Sequence, residues 1–149
     1  MGNDVFVWIE QFHGQVSPPS WEAIGTARRL SETLGGQVCA CLFGDGVEDL
    51  AQEAIAYGAD RVFLADDPTF SDFRLEPHTA LMAHLAEEHE PEVILIGATS
   101  RGRDMGPGVA VELESGCVAD CTTLDFEDGQ LVATRPIYAG KLLCTCVVP

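Results

Sequence analysis

Apolar and polar positions along the chain fall into runs of two kinds. Val5–Ile9 is a β-branched and aromatic stretch, and Val38–Phe43, Arg61–Ala65 and Val93–Gly97 are mainly apolar runs of similar length. Runs of this length and composition predict strands. Between them the period becomes that of a helix. Ala23, Ala27, Leu30 and Leu34 recur at helical spacing after Ser17-Pro18; Val47, Leu50, Ala51 and Ala54 do so before Gly58; Leu81 and Leu85 lie inside Pro77–Glu88. Ser17 followed by Pro18 reads as a helix start, and Gly35-Gly36 and Gly58 as stops, because a cap hydroxyl satisfies a free amide and glycine tolerates positive φ. Asp66–Phe73 reads as irregular, and a fourth helix is predicted from about Asp104 to Glu114 with Asp104 as its cap.

Strand and helix therefore alternate strictly through the first two-thirds of the chain. Nearly continuous apolar strands joined by helices predict a parallel sheet covered on both faces, an α/β three-layer Rossmann-like fold. The last third changes character. Cys121–Glu127 and Gln130–Ala133 flank Asp128-Gly129, a two-residue hairpin signal, and Lys141–Val148 reads as one more strand, so the sheet is expected to end in antiparallel additions. The closing apolar strand lacks a polar tail, and the chain is expected to continue.

At 149 residues the sequence has the size of one domain, taken as 1–149. Hydrophobic residues make up 46% and charged ones 21%, a globular balance, and no apolar run approaches the ~20 residues of a membrane span. Twenty-four acidic against eight basic residues give a formal charge of -16, which repels phosphate backbones and anionic bilayers. Neither nucleic acid nor membrane insertion is expected. The amino terminus shows no secretory leader, so a cytoplasmic location is expected, and the six cysteines read as reduced, mainly small core residues.

Seven of the eight basic residues are arginines, which lends weight to the loop joining the Val93–Gly97 strand to the last helix. Thr99, Ser100, Arg101, Gly102, Arg103 and Asp104 bring hydroxyls, guanidiniums and a helix amino terminus to the carboxyl edge of the sheet. Such a set holds phosphate or carboxylate; it serves equally to clamp a neighbouring domain or to pair with local carboxylates. Other motifs carry less. Gly44-Asp-Gly46 is explained by turn geometry, and there is no Gly-x-Gly-x-x-Gly after the first strand and no phosphate loop ending in Gly-Lys-Ser/Thr. Cys39-Ala-Cys41 and Cys144-Thr-Cys146 place sulfurs on one strand face each, a spacing that suits core packing better than a metal knuckle. His13, His78, His84 and His89 read as solvated, with no adjacent nucleophile.

Taken together, Val7-Trp-Ile-Glu, Val16-Ser-Pro-Pro-Ser-Trp-Glu-Ala, Tyr57-Gly-Ala-Asp-Arg-Val-Phe-Leu-Ala, Gly97-Ala-Thr-Ser-Arg-Gly-Arg-Asp-Met-Gly-Pro, Ala119-Asp-Cys-Thr and Thr134-Arg-Pro-Ile-Tyr-Ala-Gly-Lys resemble the amino-terminal domain of the alpha subunit of electron transfer flavoprotein over essentially the whole chain. The resemblance implies an adenine nucleotide alpha hydrolase-like fold that is not the family's usual nucleotide site. It implies an electron carrier, not an enzyme with its own catalytic residues. It also implies FAD in a carboxyl-terminal domain absent from this chain, no cofactor on these residues, and a beta subunit holding AMP or a second FAD. Flavin dehydrogenases and a quinone reductase or other redox acceptor would be reached through that complex. Arg101, Arg103 and Arg135 are then candidates for interdomain or beta-subunit contacts. A universal-stress-type nucleotide-binding module is the alternative.

Overall fold

A computed structural model describes residues 2–137 and 142–148, with side chains described as far as Arg135. Strand β1 (Val5–Ile9) is buried at every position, as is β2 (Val38–Gly44), whereas β3 (Arg61–Asp66) is partly exposed. With the short β4 (Val93–Leu95) they form a parallel sheet in the order β3-β2-β1-β4. Burial on both faces explains why the two central strands read as unbroken apolar runs instead of alternating ones.

The pleat then divides the core in two. Val5, Val7 and Ile9 face one side, where they meet Ile24, Ala27 and Leu30 of α1 (Pro18–Leu34) and Leu50 and Ala54 of α2 (Glu48–Tyr57). Phe6 and Trp8 face the other, with Met82 of α3 (Leu75–His89) and Met105 and Val109 of α4 (Ser100–Glu112). The three-layer arrangement predicted from the sequence is what forms.

Four details differ from expectation. Ser17 does precede α1, but its side chain makes no cap bond; Pro18 and the left-handed Gly35 (φ 74°) bound the helix instead. Helix α4 starts four residues before Asp104, capped by Thr99, because glycines 102, 106 and 108 and Pro107 weaken its helical signature in the sequence. His13 (φ 48°) and Gly14 (φ 84°) form the turn of a small hairpin, β5 (Gln11–Phe12) with β6 (Gln15–Val16), for which the mostly polar segment before Ser17 gives no alternating signal. Finally, β7 (Thr123–Glu127), β8 (Gln130–Ile137) and β9 (Leu142–Val148) make a separate antiparallel sheet instead of extending the parallel one. Its predicted turn, Asp128 (φ 52°) with Gly129 (φ 77°), forms as expected. Leu124, Phe126 and Leu131 pack this sheet on the α1 side of the core, and Arg29 of α1 binds the Asp125 carboxylate and the Leu124 carbonyl. Lys141 and the side chains of Cys144 and Cys146 lie outside the described residues.

Candidate functional site

In an open parallel sheet of this order, the chain leaves β1 and β4 toward opposite faces, and the crevice at their carboxyl ends is where such folds receive ligands. Here Glu10 and Thr99 bridge that crevice. Glu10 follows β1, and its carboxylate accepts the Thr99 hydroxyl at 2.6 Å; the same Thr99 oxygen accepts from the Gly102 amide at 3.0 Å, capping α4. The Glu10 amide donates to Ser20 Oγ at 2.9 Å, and Gln11 Nε2 donates to the Phe43 carbonyl at 3.2 Å. A Cβ on Gly102 would stand 1.9 Å from the Gly97 carbonyl oxygen, and one on Gly97 would stand 3.0 Å from Pro19 Cβ, so strand end and helix starts touch backbone to backbone. An internal carboxylate thus takes the place beside the α4 amino terminus that a phosphate would need. A second anion there would meet Glu10.

The predicted site residues do not converge on one point. Arg101 sets its guanidinium over the rings of Phe12 and Phe73, 5.2 and 5.5 Å from their centroids. Arg103 points elsewhere, donating from Nε to Asp120 at 3.0 Å. Ser100 and Asp104 are exposed on the first turns of α4, and Asp104 is not its cap. Arg135, on β8, keeps a buried Nε with no acceptor among the described residues and lies near the Cys121 thiol.

What the structure adds around Arg101 is a set of residues that the sequence did not single out, Glu10, Phe12 and Phe73, together with His78. His78 is 4% exposed, contrary to the solvated reading. Its ring lies 4.8 Å from Phe73 and 5.1 Å from Phe70, with Phe43 and Trp8 just beyond, and its Nδ1 is 2.9 Å from the Arg74 carbonyl. Burial pulls its pKa below the usual histidine value; the Arg74 carbonyl opposes this, while the charges of Arg101 and Arg74 add to it. His89 is likewise packed, on Phe63 at 4.5 Å, whereas His13 and His84 are exposed. Sixty-odd residues separate Phe12 from Phe73, so no local pattern links the members of this cluster.

The cysteines divide similarly. Cys39 and Cys41 are buried against Phe6 and Met82, and burial raises the Cys39 thiol to about 11 and Cys41 further still. Cys117 is exposed, which corrects its assignment to the core. Among the described residues no three metal-binding side chains gather. A cleft of about 800 Å³ opens beside β4, between α1, α4 and the antiparallel sheet, walled by Ala23, Val109, Leu113, Leu124 and Phe126. No helix among the described residues is long and apolar enough to cross a membrane.

Fold and site together define a doubly wound α/β domain whose switch-point edge is bridged by its own Glu10 and Thr99 side chains. Residues 5–149 match the family model described as electron transfer flavoprotein domain, and the chain belongs to that family. It is 43% identical over 145 residues to protein FixB of Azorhizobium caulinodans, covering 95% of this chain and 39% of that one. It is 41% identical over 147 residues to the electron transfer flavoprotein subunit alpha of Thermoanaerobacterium thermosaccharolyticum (98% and 44%), and 40% identical over 147 to that of Megasphaera elsdenii (97% and 44%). The chain thus spans about two-fifths of the length of these relatives. These matches favour the flavoprotein reading over the universal-stress one.

Proposed function

We propose that this chain is the amino-terminal scaffold and subunit-docking domain of an electron transfer flavoprotein alpha subunit. In this reading, electrons pass from flavin dehydrogenases to a quinone reductase or other acceptor through FAD held outside residues 1–149. A beta subunit carrying AMP or a second FAD completes the complex. The rim formed by Thr99–Asp104 and Arg135 faces protein neighbours, not substrate.

The observation that carries this reading is the Glu10–Thr99 bond across the crevice. A phosphate-bearing cofactor at the switch point would have to displace a 2.6 Å charge-assisted hydrogen bond and sit against a carboxylate, at a cost of several kcal/mol. The test is to purify the chain alone and together with an electron transfer flavoprotein beta subunit. The expected outcome is stable association with that subunit, without stoichiometric flavin or ATP on the chain alone. Stoichiometric FAD, or tight ATP binding, on these 149 residues would refute the assignment.

A further inference from the structure

Arg101 differs from Arg103, Arg28 and Arg29 in being held but not neutralised. Arg103 is engaged by Asp120, and Arg28 and Arg29 by Asp60 and Asp125. Arg101 has aromatic rings for company and, among the described residues, no carboxylate or carbonyl accepting from its guanidinium. A guanidinium stacked on ring faces has its plane fixed while its edge donors stay free, an arrangement suited to a bidentate carboxylate.

The surroundings select the same ligand. Of the carboxylates in this region, Glu10 accepts the Thr99 hydroxyl and Asp72 lies 3.6 Å from His13, and neither pairs with Arg101. Arg74 and Arg101 both lie close enough to His78 for their charges to act on it, so an otherwise acidic protein of charge -16 brings two guanidiniums together around this ring. Phe12, at the tip of the β5–β6 hairpin, is 55% exposed and stacks on His13, a large apolar surface left uncovered beside the charge. Arginine and aromatic residues grouped in this way are the side chains that dominate protein interfaces.

We propose that Phe12, Arg101 and Phe73 form the docking clamp of this domain, in which Arg101 receives a carboxylate side chain of the beta subunit and Phe12 is buried by the apolar surface around that carboxylate. The inference rests on the docking role proposed above and names the anchor and the chemistry of its partner. On association a solvated carboxylate exchanges water for two guanidinium donors already fixed in place, so little side-chain entropy is lost.

The experiment measures the Kd of the 149-residue chain for the beta subunit by calorimetry, for the unaltered chain and for Arg101→Gln, Arg101→Lys, Phe12→Ala and, as a charge-matched control, Arg28→Gln. Loss of a central arginine anchor weakens binding by about 30-fold or more. Arg101→Gln should reach that range. Arg101→Lys, which keeps the charge but loses the planar fork, and Phe12→Ala should each lose about tenfold, with Arg28→Gln unchanged and unfolding midpoints within a degree or two for the Arg101 variants. Equal affinity of Arg101→Lys and the unaltered chain would overturn the clamp in favour of diffuse charge attraction. An Arg101→Gln chain that binds as well as the unaltered one would overturn the anchor while leaving the docking role intact, whereas failure of the unaltered chain to bind would overturn both.

Discussion

Replacing Thr99 by valine is the sharpest test of how the switch-point crevice is closed, because one oxygen makes both bonds that close it. Valine has nearly the same shape, so packing is preserved while the hydroxyl disappears. The Gly102 amide loses its cap acceptor, which costs about 1 kcal/mol. Glu10 loses a 2.6 Å hydrogen bond to its half-buried carboxylate, which costs roughly 1.5–3 kcal/mol. Together these predict a loss of about 2–4 kcal/mol, or a drop in Tm of roughly 5–15 °C for a domain of this size. Denaturant unfolding followed by Trp8 fluorescence measures it, since Trp8 is buried on the strand that leads into Glu10. Thr99→Ser keeps the oxygen and should remain within about 0.5 kcal/mol of the unaltered protein. A Thr99→Val protein less than about 0.5 kcal/mol destabilised, or a serine variant as damaged as the valine one, would refute the closure described here.

Three further outcomes follow from the same geometry. His78 has a pKa below 6.5 in the folded state, so the unfolded chain binds the extra proton: stability should be full above the ordinary value and fall as pH drops below it toward the depressed one. Urea midpoints measured across that range should show the slope, and His78→Phe should flatten it. Gly102→Ala should destabilise by at least about 3 kcal/mol in urea unfolding, because the added methyl meets a backbone carbonyl that cannot step aside, whereas alanine at the more open Gly106 should be tolerated. In thiol labelling with a disulfide reagent followed by peptide mapping, exposed Cys117 should react well before Cys39 and Cys41, which should react only at the rate of global unfolding, since both are buried with raised pKa values. Early labelling of Cys41 would contradict the packing of the α3–α4 side of the sheet.

The periodicity of apolar residues by itself determined the three-layer α/β architecture, the four parallel strands and the Asp128-Gly129 turn, because each is a local consequence of side-chain spacing and backbone preference. It also located the Thr99–Asp104 loop at the carboxyl edge of the sheet. Tertiary structure alone decided what that loop does. Glu10 lies 89 positions from Thr99 in the chain, and Phe12, the Phe73–His78 stretch and Arg101 come from three separate segments, so no window of sequence contains the bond or the cluster they form. The same holds for the buried state of His78, which looks polar in its own helix and is enclosed only by rings arriving from β1, β2 and the segment before α3. Even the start of α4 escaped local reading. Glycine 102 lowers helix propensity in isolation, yet it is required where the helix begins against the Gly97 carbonyl, a contact that exists only once strand and helix have packed.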